Sequence, residues 1–185
     1  MKQFLVVLFS LISTLSFSQE FEVTPNGIKD KLNPNNNFLV IEVENISANK
    51  LYENALKFVI ETYKNPEFVI KGKIENEYLR FVTKNNPFSF YNKIGRMTAN
   101  INYSIELRFK DGKVRYEIIE LNMPVAEPRN LTFKGSIWSG YPIFNDKGEI
   151  RLLEAKEKLE GSLNEQVILL KKFLVFTSFS KPSTL

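Results

Sequence analysis

The sequence predicts an α+β fold in which a curved antiparallel sheet carries two helices on one face, in the order strand, helix, four strands, helix. Strict alternation of apolar and polar residues from Ala99 to Phe109 is typical of a half-buried strand. Apolar residues after Ser47, and again from Leu152 to Leu174, recur every three or four positions, which predicts two amphipathic helices. Hydrophobic residues make up 43% of the 185-residue chain, which is enough for the core of one folded domain.

A secretory signal peptide is predicted at residues 1–18. Its basic start contains Lys2, an apolar run covers residues 4–12, and the small residues Ser16 and Ser18 suit the −3 and −1 positions of a cleavage site. The apolar run is shorter than the roughly 20 residues that a membrane span needs. We therefore expect export to the periplasm or the cell exterior, with Gln19 as the first mature residue and no transmembrane segment in the mature chain.

The mature chain should begin with irregular structure and then enter a single domain over residues 37–180. Residues 19–36 are polar and broken by proline and glycine, so we expect an extended, partly flexible lead-in. Residues 38–44 alternate in polarity and predict the first strand. Ser47 is a suitable N-cap for the first helix, which should end before Pro66.

Four strands are expected after this helix. Residues 68–74 and 78–84 predict two strands joined by a tight turn at residues 75–77, and residues 85–97 predict a loop. The Asp111-Gly112 pair favours a two-residue type I′ turn between the next two strands. Such a turn puts the apolar residues of both strands on one face. The expected pairs are Lys110 with Lys113, Phe109 with Val114, Leu107 with Tyr116, and Ile105 with Ile118.

The rest of the chain is predicted as a long loop and a long helix. Proline and glycine recur through residues 122–148, which indicates a crossing loop with a short strand near residues 131–134. Trp138 in this loop either caps the edge of the core or forms a platform for a ligand. Gly161 should be a weak point in the last helix. The apolar stretch at residues 167–179 is expected to dock on the sheet rather than contact a membrane.

The composition argues against several kinds of active site. The chain has no Cys and no His, which excludes disulfides and a lipid-modified cysteine and removes the commonest general base and metal ligand. No cofactor is predicted, because the eight glycines form no phosphate-binding loop. Two weak catalytic candidates remain. They are the turn carboxylates Glu75 and Glu77, and a Ser–Lys dyad of Lys134 with Ser136 or Ser139.

The net charge is modest and gives little information about partners. Loss of residues 1–18 removes Lys2, so 24 basic residues face 21 acidic ones and the mature charge is +3. The charges are interspersed, and export separates the chain from nucleic acid, so no nucleic-acid partner is expected. The basic excess is either a solvated surface or a patch for an anionic partner.

Three segments carry a resemblance to a known family. They read ISANKLYENA at residues 46–55, VIKGKI at 69–74 and FKDGKVRY at 109–116. Together with the order of elements, they resemble the domain of unknown function family 4468, a group of exported bacterial proteins with a TBP-like fold. The resemblance covers roughly residues 36–122. It implies the TBP-like fold and carries no activity over to any residue.

The candidate binding surface is the sheet face that points away from both helices, here called the open sheet face. Alternation assigns Arg80, Asn102, Arg108 and Arg115 to it. The face is either an ordinary half-solvated sheet surface or a recognition surface for an envelope protein or an anionic polymer. We expect an exported, non-catalytic binding or envelope-associated module whose ligand is unknown. The alternative is a His-free hydrolase, or another enzyme that uses Glu, Lys or Ser.

Overall fold

The computed structural model describes residues 19–126, 129–138 and 140–176, so the predicted signal peptide and residues 177–179 lie outside the described residues. The first strands are β1 (Phe21–Thr24), β2 (Gly27–Asp30) and β3 (Phe38–Glu42), and they precede the helices α1 (Ala48–Thr62) and α2 (Pro66–Val69). Four strands follow: β4 (Ile70–Ile74), β5 (Tyr78–Tyr91), β6 (Arg96–Lys110) and β7 (Lys113–Asn122). The last elements are β8 (Pro124–Ala126), β9 (Arg129–Lys134), β10 (Gly140–Phe144) and α3 (Leu153–Phe176).

The main sheet has five antiparallel strands in the order β3-β7-β6-β5-β4. The β6–β7 hairpin has the register expected from the sequence, with Lys110 opposite Lys113 and Ile105 opposite Ile118. Of the two turn residues only Gly112 has a positive φ, of 74°. The turn is therefore not the predicted type I′, which needs a positive φ at both positions.

Contacts with the start of α1 account for the shape of this turn. Asp111 Oδ1 accepts a hydrogen bond from Ala48 N at 2.8 Å, and Gly112 N donates to Ile46 O at 2.8 Å. Ser47 Oγ accepts from Lys50 N at 3.3 Å, as expected of an N-cap. Two of the segments that carry the family resemblance thus meet at one end of the sheet. There the Asp111-Gly112 turn of residues 109–116 contacts the start of α1, which belongs to residues 46–55.

Residues 85–97 do not form the predicted loop. Strand β5 continues to Tyr91 and β6 starts at Arg96, so these residues form a long two-stranded arm that ends in a short turn. Asn86 and Pro87 are residue types common in loops, yet Pro87 lies opposite Asn100 just beyond a shift in register after Thr83. The irregular pairing accommodates a proline that a regular central strand would exclude.

The two long helices, α1 and α3, pack on the same face of the main sheet and enclose the core. Phe58 of α1 lies 5.3 Å from Phe173 of α3 and 6.2 Å from Phe81 of β5, measured between ring centroids. Asn54 is buried, and its Nδ2 donates to Leu174 O at 3.1 Å, which links the two helices. Residues 66–69 form the helical turn α2, so β4 begins at Ile70 rather than at Phe68 as the sequence suggested. This arrangement confirms the predicted α+β architecture.

The predicted extended lead-in contains an ordered hairpin. Strands β1 and β2 pair antiparallel, and the Phe21 and Val23 side chains are buried in the core. Side chains of α3 accept hydrogen bonds from the backbone N–H groups along the free edge of β1. Phe21 N donates to Asn164 Oδ1 at 2.8 Å, and Val23 N donates to Glu160 Oε1 at 2.7 Å. These four-residue strands pair with each other but also depend on distant residues of α3, so local polarity did not reveal them.

The predicted crossing loop at residues 122–148 contains a second, three-stranded sheet in the order β10-β9-β8. Strand β9 confirms the short strand expected near residues 131–134, whereas β10 was not predicted. Strand β10 pairs parallel to β9, with Gly140 opposite Asn130. A Cβ atom on Gly140 would lie 2.6 Å from Asn130 O, so this close pairing needs glycine.

Candidate functional site

The open sheet face carries its arginines in ion pairs. Arg108 Nη2 lies 2.8 Å from Glu106 Oε1, and Arg115 Nη2 lies 2.7 Å from Glu117 Oε2. The Arg115 guanidinium also stacks over Phe38, with 3.9 Å from Cζ to the ring centroid. These contacts hold the arginines against the protein, which leaves them less available to an external anion.

Arg80 on the same face pairs with Glu120, whose backbone is unusual. Glu120 has a φ of 55° and lies where the β6–β7 register shifts between Asn102 and Ser104. Its carboxylate also accepts a hydrogen bond from Ser104 Oγ at 2.8 Å. The hydrogen bond from Arg80, and then that from Ser104, lowers the pKa of Glu120. Asn102, the fourth residue predicted for the open sheet face, lies in β6. Its side chain is half-buried and also has an interaction partner.

A different surface is concave and apolar. A groove of about 690 Å³ lies between the tip of the β5–β6 arm, the segment before β10 and the residues before α3. We call it the aromatic groove. Its apolar lining comes from Tyr91, Ile94, Ile137, Trp138, Tyr141 and Leu152. Its volume falls within the range of small-molecule and cofactor sites.

The tip of the arm is held by hydrogen bonds of its own turn and of α3. Asn92 Oδ1 accepts from Ile94 N at 2.8 Å and from Gly95 N at 3.0 Å, which fixes the turn and leaves the Ile94 side chain 81% exposed. Glu154 Oε2 on α3 accepts from Tyr91 N at 2.8 Å. Lys158 Nζ donates to Ser89 O at 2.8 Å, so the first turns of α3 support the whole arm.

Trp138 does not cap the edge of the core, so that one of its two predicted roles is wrong. Its side chain is 84% exposed and lines the groove, and its backbone N donates to Ser136 Oγ at 3.2 Å within the turn. Tyr141 also lines the groove and is anchored from below by the buried Phe90, with 6.4 Å between the ring centroids. The Tyr141 ring is therefore fixed by the core, whereas the Trp138 ring projects into solvent.

The charges of the groove are positive. Lys93, Arg129 and Arg151 line it. Among the described residues no carboxylate lines the groove, and none forms an ion pair with any of these three cations. The nearby Glu154 is paired with Lys158 at 2.8 Å, and that bond, followed by the one from Tyr91 N, lowers its pKa. A cationic, aromatic-lined groove suits a ligand that combines negative charge with an apolar or ring surface.

The weak catalytic candidates among the described residues are exposed and lie at or near strand ends. Glu75 and Glu77 flank the β4–β5 turn, where Asn76 has a φ of 65°. Lys134 and Ser136 are exposed near the end of β9, Ser136 Oγ accepts from Trp138 N, and Ser139 lies outside the described residues. Within the described ranges no group of three or more Asp or Glu residues could hold a metal ion.

Sequence analysis found only one residue of the aromatic groove, Trp138. The tip of the arm was assigned to a loop, and the cations Lys93, Arg129 and Arg151 were counted only as part of a dispersed basic excess. The signal that could have identified the tip was the polar Asn92-Lys93 pair followed by Ile94 and Gly95. Asn and Gly at this spacing are typical of a turn.

Comparison with known families agrees with the α+β fold described above. Residues 38–123 match the family described as a domain of unknown function, DUF4468, with a TBP-like fold. This part of the chain is similar to a DUF4468 domain. It spans all five strands of the main sheet and both α1 and α2. The cations Arg129 and Arg151, Trp138 and the whole of α3 lie outside the matched segment. A comparison with curated proteins found no match.

A solved structure supports the same fold. A DUF4468 family protein from Bacteroides ovatus is similar with a TM-score of 0.51 and 12% identity, over 80% of this chain and 88% of its own. A TBP-like protein from Parabacteroides distasonis is similar over 49% of this chain and 56% of its own, with 15% identity and a TM-score of 0.37. At this level of identity the Bacteroides ovatus structure supports the fold alone. No helix among the described residues is long and apolar enough to cross a membrane.

Proposed function

We propose that this protein is an exported, non-catalytic binding protein of the cell envelope, and that the aromatic groove binds an anionic partner with apolar groups. The lining of the groove is the observation that carries the proposal. Three cations without a carboxylate partner among the described residues share one concave surface with exposed aromatic rings. Cations on a low-dielectric wall attract anions more strongly than isolated surface lysines do.

The state of the open sheet face supports this choice of site. Arg80, Arg108 and Arg115 each have a carboxylate partner on the same face, so an anionic ligand would have to displace an internal ion pair. Within the part of the chain that the structure describes, no ion pair of the groove cations would have to be displaced. An unpaired guanidinium or ammonium group gains more from a new anion than a paired one does, because the paired group has already found its partner.

Charge-removing variants test the proposal. The gene for all 185 residues is expressed in the native host, and the protein is purified. A mass that corresponds to a chain beginning at Gln19 is the expected result, and this measurement tests export. The purified protein is then mixed with washed envelopes of that host and sedimented. Triple replacement of Lys93, Arg129 and Arg151 by Gln should reduce the bound fraction at least about tenfold, and added salt should weaken binding of the parent.

Two further triple variants complete the experiment. Replacement of Lys64, Lys110 and Lys172 by Gln removes the same charge from exposed sites outside the groove and should leave binding nearly unchanged. Replacement of Arg80, Arg108 and Arg115 by Gln examines the open sheet face. If this third variant loses binding while the groove variant keeps it, the site is the sheet face and the proposal fails. An intact Met1 on the purified protein would contradict export.

A further inference from the structure

We propose that the anionic partner is a phospholipid membrane surface, and that the side chains of Ile94 and Trp138 insert between its headgroups. This inference rests on the proposed function of the aromatic groove. It assigns that groove to lipid rather than to a soluble polymer or peptide. The argument uses the position of the apolar side chains, the position of the charges, and the rigidity of the support.

The two most exposed large hydrophobic side chains of the described residues lie at neighbouring loop tips. Ile94 is 81% exposed in the turn of the β5–β6 arm, and Trp138 is 84% exposed in the turn before β10. Both line the aromatic groove, so the two tips lie beside each other. A soluble ligand held in a groove contacts side chains that the walls partly cover, whereas tips exposed to this extent suit insertion into a surface larger than the protein.

The residues around the tips have the chemistry of a membrane interface. Beside the tips, Tyr91 is 64% exposed and Ile137 is 50% exposed. Trp and Tyr rings favour the headgroup level of a bilayer, because one side of the ring is apolar and the other can hydrogen-bond. Lys93, Arg129 and Arg151 would then face anionic headgroups, each strengthening binding by about fivefold near such a surface.

The support behind the tips is rigid, which lowers the entropic cost of docking. The arm is fixed to α3 through Glu154 and Lys158, and Arg151 N donates to Ile143 O at 2.7 Å. Ile143 is fully buried. The backbone that carries Lys93, Ile94 and Arg151 is thus joined to α3 or to the core, so little of its conformational freedom is lost on binding.

The experiment uses Trp138 as its own probe, because it is the only tryptophan in the chain. The purified protein is titrated with vesicles of equal parts phosphatidylcholine and phosphatidylglycerol, and with vesicles of phosphatidylcholine alone. We expect a blue shift of the emission and quenching by brominated acyl chains only with the anionic vesicles. Triple replacement of Lys93, Arg129 and Arg151 by Gln should lower the partition coefficient about a hundredfold.

A matched pair of apolar variants tests insertion. Ile94→Ser should lower the partition coefficient about tenfold, since a buried aliphatic side chain is lost from the interface. Phe68→Ser removes another largely exposed apolar side chain, at 70% against 81% for Ile94, from outside the groove and should change the partition coefficient less than twofold. Equal effects of the two variants would overturn the inference.

A soluble competitor separates this inference from the function on which it rests. Oligogalacturonate supplies the same negative charge with sugar rings and no membrane. If it shifts the Trp138 emission of the parent while anionic vesicles do not, the groove binds an anionic polymer and the lipid inference is wrong. If neither probe acts on Trp138 and the groove triple variant still binds envelopes, the proposed function itself fails.

Discussion

At the scale of single residues, Glu120 shows how one strained position organises the open sheet face. Its positive φ of 55° is unfavourable for a side chain of this kind, yet it directs the carboxylate between Arg80 and Ser104. The lowered pKa of this carboxyl means that its ionised form is stabilised in the folded protein.

This stabilisation has a defined pH dependence. A lowered folded-state pKa adds stability that is fully present above the unfolded value, about 4.3 for Glu, and that is lost as the pH falls through the folded value. We expect Glu120→Gln to lower the urea midpoint at neutral pH and to differ little from the parent near pH 2. Glu157→Gln, at an exposed site on α3, is the control and should change neither midpoint. A constant deficit of Glu120→Gln at both pH values would show that the charge does not contribute.

At the scale of elements, two glycines in different environments should respond in opposite directions to the same substitution. A Cβ on Gly140 would lie 2.6 Å from Asn130 O, so Gly140→Ala forces the parallel β9–β10 pair apart and should cost about 1–3 kcal/mol. Gly161 is in the interior of α3 with open space around its Cα, so Gly161→Ala should add about 0.5–1 kcal/mol. Chemical denaturation of both variants measures the two changes. Destabilisation by Gly161→Ala would mean that the helix is not continuous there.

The elements also show what the sequence could reveal. The β6–β7 hairpin was predictable with its register, because alternation and a two-residue turn are local signals. The β1–β2 hairpin was not, because its edge is completed by Asn164 and Glu160 more than 130 positions away. Strand β10 was missed for the same reason, since a parallel partner and a close backbone approach leave no local pattern.

The candidate site was still harder to find in the sequence. Trp138 was visible as a possible ligand platform, but its exposure depends on how the segment before β10 leaves the core. Lys93, Arg129 and Arg151 are spread over 59 positions of sequence and meet only because the arm, β9 and the start of α3 converge. Alternation placed Arg80, Arg108 and Arg115 on one face correctly, but it could not show that each has a carboxylate partner.

At the scale of the whole molecule, three tyrosines have phenol groups buried between the helices and the main sheet. Tyr63 follows α1, Tyr103 is in β6 and Tyr116 is in β7, and burial raises the pKa of all three phenols. Burial raises the pKa of Tyr103 to about 12. The Tyr116 hydroxyl is fully enclosed and has no hydrogen-bond partner among the described residues. Ionisation of this group inside the fold would be costly, because a charge without a partner loses its hydration.

These phenols should make the fold sensitive to alkaline pH. In the unfolded chain a tyrosine ionises near pH 10, so between about pH 10 and 12 the unfolded state binds fewer protons and the stability falls as the pH rises. A spectrophotometric titration should therefore show that some of the seven tyrosines ionise only when the circular dichroism signal of the fold is lost. Tyr116→Phe removes one buried phenol and should move this unfolding transition to higher pH. Ionisation of all seven tyrosines at their ordinary pKa, with the fold intact, would mean that water reaches these hydroxyls.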